Sequence, residues 1–153
     1  MKKFYLGLFL ILAAAILPQK ALATGLSTTF SEVSLEDLET GKSYSTREVA
    51  SLPLEVVNTS DEPVDLKIEL LMPETSELKE GYAPIPDLGW VSLAQLNFSN
   101  IQPRASAETD VVITIPADAQ YKGKKYKVFI WSHTVGRKIG VGLKSKLLIT
   151  IKE

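Results

Sequence analysis

The chain has 153 residues, with 17 Lys and Arg against 18 Asp and Glu, a single His and no Cys. That length suits one domain with a sizeable core rather than two large ones. Without Cys there is no disulfide, thiolate metal site, iron–sulfur cluster or cysteine nucleophile; one His supplies neither a histidine metal site nor a Ser–His–Asp triad, and a net charge of −1 gives no field that attracts nucleic acid.

The chain opens with Lys2 and Lys3, an apolar run from Phe4 to Leu17, then Pro18-Gln19-Lys20 and Ala21-Leu22-Ala23. A basic start, an apolar stretch and a small-x-small end are the three parts of a secretory signal peptide. Fourteen apolar residues at about 1.5 Å each span about 21 Å, short of a ~30 Å hydrocarbon core. Residues 1–23 therefore read as a signal-peptide helix cleaved after Ala23, and 24–153 as the mature domain, with no membrane association after cleavage. Loss of Lys2, Lys3 and Lys20 leaves 14 basic and 18 acidic residues, a formal −4. An exported domain without disulfides fits the periplasm, cell surface or exterior of a bacterium.

The mature chain alternates with period two. Val64, Leu66, Ile68 and Leu70 alternate with Asp65, Lys67 and Glu69, the pattern of a strand with one face in a core. Val111, Ile113 and Ile115, then Tyr126, Val128 and Ile130, then Leu147, Ile149 and Ile151 repeat it. Turn chemistry separates these runs at Asn58–Pro63, Ile101–Ala105, Pro116 and Tyr121–Gly123. Strands are expected near 28–34, 43–48, 52–58, 64–72, 90–93, 96–101, 108–115, 124–134 and 143–152. Glu32 to Leu38 is too short for a helix and reads as a turn or strand edge. The fold class is all-β, an immunoglobulin-like antiparallel sandwich of seven to nine strands. Pro73 to Gly89 is longer than most connections between strands, and so is either a lid or a binding loop.

Three groups of residues resemble secreted bacterial immunoglobulin-like domains of the NEW3 and related surface-protein type. They are Leu54-Glu55-Val56-Val57-Asn58-Thr59-Ser60-Asp61 through Pro63-Val64; Ile101-Gln102-Pro103 with Ala107 and Val111-Val112-Ile113-Thr114-Ile115-Pro116; and Tyr121-Lys122-Gly123-Lys124-Lys125-Tyr126. The resemblance covers roughly Leu52 to Ile130. It implies the fold and carries almost nothing about activity.

No catalytic constellation, cofactor site or metal site is expected. Ser132 and His133 are adjacent on a strand and so point to opposite faces, which rules them out as a nucleophile–base pair. Glu74, Glu77, Glu80 and Asp87 crowd the long loop and read as solvated. Asn58-Thr59-Ser60 and Asn97-Phe98-Ser99 match the glycosylation pattern by chance. Glycines at 136, 140 and 142 fit no phosphate loop and mark a flexible hairpin, although Arg137, Lys138, Lys144 and Lys146 there could meet an anion or partner.

The aromatic pattern is the sharpest functional signal. Phe129 and Trp131 share the face opposite Tyr126, Val128 and Ile130, so this strand needs cover on both sides. Either the Pro73–Gly89 loop, with Tyr82, Ile85 and Trp90, folds over Phe129 and Trp131, or that face meets a sugar ring or a polypeptide. The expected contact residues are Tyr82, Trp90, Phe129, Trp131, Arg137, Lys138 and Lys144. The function expected is a non-enzymatic exported module, structural or binding, whose partner is a protein or a surface glycan. A periplasmic chaperone or assembly factor using edge-strand addition is the alternative.

Overall fold

A computed structural model describes residues 25–153. The expected signal peptide and the cleavage point after Ala23 lie outside the described residues. The strands are β1 (Leu26–Ser27), β2 (Glu32–Leu38), β3 (Ser43–Ser45), β4 (Leu54–Asn58), β5 (Val64–Leu71), β6 (Ala83–Pro84), β7 (Val91–Leu93), β8 (Asn97–Ile101), β9 (Ser106–Thr109), β10 (Val111–Thr114), β11 (Lys125–Val135) and β12 (Gly142–Ile151). A short helix, α1 (Thr46–Ala50), separates β3 from β4.

One layer runs β1-β4-β9 and continues as β3-β10-β7, because only Asp110 separates β9 from β10. The other runs β2-β12-β11-β5-β8, with β6 beside β11. Neighbours are antiparallel except β2 on β12 and β6 on β11. The alternating residues meet between the layers as the pattern requires. Leu66 and Ile68, Val128 and Ile130, and Leu147, Ile149 and Ile151 face Leu54, Val56, Val111, Ile113 and Ile115, all fully buried.

The all-β sandwich is as expected, with twelve strand segments rather than seven to nine. The two-residue pieces β1 and β6 were not expected, and the run at 108–115 is split at Asp110. The first long strand lies at Glu32–Leu38, where 28–34 was expected. Its buried residues Val33, Leu35 and Leu38 break strict alternation because Asp37 adopts a positive φ of 57° in a bulge. The strand expected over 43–48 turns into α1. Ser45 Oγ accepts from Glu48 N at 3.3 Å and donates to Asp110, whose carboxylate also meets Arg47 N. Here a Ser-x-x-Glu capping sequence overrides the strand.

Asn58 ties the turn after β4 to the start of β9. Its Nδ2 donates to Glu62 O at 2.8 Å and Ile101 O at 2.9 Å, and its Oδ1 accepts from Ser60 N and Ser60 Oγ. Its backbone N–H donates to Ala105 O, and its carbonyl accepts from Arg104 N. Asn58 and Ser60 are both 1% exposed, so a glycan on Asn58 has no room. Asn58→Ala strands the buried Ile101 carbonyl and loses four side-chain hydrogen bonds. The expected cost is about 2–4 kcal/mol, a fall of about 10 °C in melting temperature measured by circular dichroism.

Candidate functional site

In β11 the residues at even positions point inward, so Lys127, Phe129, Trp131 and His133 stand on the outer face of the larger sheet. Each obtains cover from a different source. Phe129 is 4% exposed. Lys127 Nζ and Lys144 Nζ stand 4.6 and 4.7 Å from its ring centroid, and both are tied to Glu77. Lys127 donates to the Glu77 carbonyl, while Lys144 donates to the Glu77 carboxylate at 2.9 Å. The turn Thr75–Glu77 is thereby held above Phe129, and Lys127 is buried beneath it. Two ammonium groups against one ring favour its electron-rich faces.

The rest of the Pro73–Gly89 loop does not lie over this face. β5 ends at Leu71, opposite Phe129, which would leave the start of β11 without a neighbour on that side. β6 fills the gap by pairing with Tyr126 and Lys127, and Ile85 N donates to Lys127 O. Ile85 and Trp90 then turn into the core, where Trp90 packs edge-on against Tyr121 and Tyr126 at 4.7 and 5.5 Å. Tyr82 is half-buried, with the ammonium groups of Lys79 and Lys125 near its ring. The loop acids serve as caps: Glu77 accepts from Glu74 N, and Asp87 from Gly89 N.

Trp131 is half-buried and leans over β12. A Cβ built on Gly142 would stand 2.4 Å from both Cη2 and Cζ2 of the indole and 3.1 Å from Cε2, distances that belong to a ring lying face-down on the glycine. His133 leans the other way, toward β5, with Nε2 2.8 Å from Glu69 Oε2, and Glu69 Oε1 accepts from Lys67 at 2.7 Å. The two rings lie 5.9 Å apart with planes 23° from parallel. Ser132 points into the core, 1% exposed, so it cannot pair with His133.

The seven expected contact residues therefore separate. Trp131 borders an open face; Phe129 is covered, and Trp90 is a core residue. Arg137 donates to Glu62 and to Pro63 O, and Lys144 is paired with Glu77, so the hairpin is no free basic patch. Lys138 and Ile139 at its tip are exposed. Sequence reasoning overlooked Lys67, Glu69 and Gly142; the register that brings them beside Trp131 and His133 joins segments far apart in the chain. Among the described residues no three His, Asp or Glu side chains gather to hold a metal ion, and no helix is long and apolar enough to cross a membrane.

No protein-family model and no curated protein matches the sequence. Solved structures do resemble the fold. The ASH/PapD-like domain 7 of human CEP192 has a TM-score of 0.59 at 13% identity, covering 85% of this chain and 87% of that one. The class 5 fimbriae chaperone CfaA has a TM-score of 0.55 at 13% identity, over 84% of this chain and 57% of that one. A candidate carbohydrate binding protein of Bacteroides ovatus has a TM-score of 0.57 at 12% identity, over 84% of this chain and 37% of that one. The chain thus spans little more than half of the chaperone and about a third of the Bacteroides protein. At these identities the likeness is one of fold, an immunoglobulin-like, PapD-like β-sandwich.

Two measurements check the site. Gly142→Val puts a branched side chain where the indole lies, so Trp131 must lift; we expect a red-shifted, more readily quenched fluorescence and a loss of about 1–3 kcal/mol. An unchanged spectrum would show that the indole does not rest on Gly142. The second concerns pH. The hydrogen bond from Lys146 lowers the pKa of Glu32, that from Lys67 and then from His133 lowers Glu69, and that from Lys144 and then the Glu74 N–H lowers Glu77. A depressed folded value makes each contribution complete above the unfolded carboxylate pKa of about 4.3, and it is lost as pH falls through the folded value. The urea midpoint should hold steady from about pH 6 to 5 and fall below about 4.5, less steeply in Lys144→Gln.

Proposed function

We propose that the chain is an exported, non-enzymatic immunoglobulin-like binding module whose contact surface is the outer face of β11 around Trp131. Residues 1–23 would direct export and be removed after Ala23, leaving 24–153 in the periplasm or at the surface of a bacterium. The resemblance to NEW3-type domains between Leu52 and Ile130 agrees with the fold of such a module. The carrying observation is the uneven cover of one face: the Thr75–Glu77 turn closes over Phe129, while Trp131 and His133, two and four residues further on, are left half open. Fold similarity to a candidate carbohydrate binding protein and to a fimbriae chaperone agrees with a partner that is a glycan or a protein.

The likeness to the chaperone also supports a second reading, an assembly factor that accepts a client strand at a sheet edge. Here β2 pairs with β12 from Lys146 to Ile151, and β8 is the terminal strand at the other side of the larger sheet.

Retention of the purified chain on cell-envelope material separates the two. Trp131→Ala should lower it about tenfold or more, the usual loss for a central tryptophan contact, with the unfolding midpoint measured alongside. Ser99→Pro on β8 should leave it unchanged. The reverse result would favour the assembly factor.

A further inference from the structure

We infer that the Trp131 face is a site for an uncharged glycan, with the indole as the floor under one pyranose ring; this rests on the binding face proposed above. Three observations select that ligand class.

The first is the posture of the indole. Gly142 lacks the Cβ that would hold the ring off the sheet, so the indole lies face-down on it and turns its other face outward. A flat, electron-rich aromatic face attracts the weakly positive C–H groups along one side of a pyranose ring. His133 extends this floor, its ring nearly parallel to the indole.

The second is the state of the charges at the rim. Glu69 bonds both Lys67 and His133, and Lys144 bonds Glu77. These charges already neutralise one another, so none of these groups beside Trp131 and His133 offers an unpaired cation to a carboxylate or sulfate. Their side chains are still 22–45% exposed, so the outer oxygens and N–H groups remain able to bond hydroxyls. A polyhydroxylated, uncharged ligand matches such a rim, with hydroxyls that both donate and accept.

The third concerns the backbone. β11 pairs with β12 from Lys125 to His133 and with β5 from Phe129 to Val135. Around Trp131 its main chain is therefore occupied on both sides, and an incoming polypeptide strand would find no ladder to join on β11. Only side chains face outward there. A half-open sheet face suits an internal unit of a chain more than a chain end.

The test uses the same envelope-retention measurement. Envelope material is treated either with periodate, which cleaves vicinal diols, or with protease. Binding should fall at least about fivefold after periodate and change less than about twofold after protease. Raising NaCl from about 0.05 M to about 0.5 M should change it less than about twofold, since stacking and neutral hydrogen bonds are little screened. Trp131→Phe should retain more binding than Trp131→Ala. Binding that survives periodate but not protease would overturn the glycan while leaving the face as a protein contact. A tenfold or larger loss with salt would overturn the uncharged class. Retention unaffected by Trp131→Ala would overturn the face itself, and the glycan with it.

Discussion

A strand that is apolar on both faces has to be covered on both, and β11 sets that condition for the whole molecule. Its inner residues Tyr126, Val128 and Ile130 are met by the opposing layer. Its outer residues have no third layer to rest on. Three local devices stand in for one: β6 completes the edge that β5 leaves short, the Thr75–Glu77 turn is bound over Phe129 by two lysines, and Gly142 makes room for the indole. The length of the loop between β5 and β7 follows from the first two of these. It has to patch an edge, cap a ring and then deliver Ile85 and Trp90 to the core.

The same devices account for the asymmetry of the outer face. Cover extends along β11 only as far as Lys144 and Glu77 reach, and beyond that point the strand carries Trp131 and His133 with polar side chains beside them. A sheet face of this kind is rigid where it is contacted, because β11 is paired on both sides around Trp131. Little ordering would then be needed when a ligand is bound.

How much of this could be read in advance depends on distance along the chain. Alternation in Val64–Leu70, Tyr126–Ile130 and Leu147–Ile151 is a local property, and those strands were legible with their faces. The bulge at Asp37 disguised β2, since one extra residue shifts the phase of every side chain after it. The Ser45–Glu48 cap was written in the sequence but lay inside a run that also suited a strand. The site was least visible. Arg137 and Lys144 look free until the fold supplies Glu62 and Glu77, 75 and 67 positions away. That Trp131 and Phe129 share a face was readable; that one is covered and the other is not depends on register across three strands.

The parallel pairing of β2 with β12 joins the first long strand to the last, with Glu32 beside Lys146 and Leu35 beside Ile149. Their contact closes a loop of nearly the whole described chain. β2 is therefore made early in synthesis and has no partner until the final residues arrive. Its alternatives in the meantime are solvent or a non-native edge. Docking of β2 then comes late, and a topology so rich in distant pairings places the chain among the slower folders, on the order of milliseconds to seconds. Under the export proposed above, this order would have a use: β2 could not lock into the fold before β12 had come through.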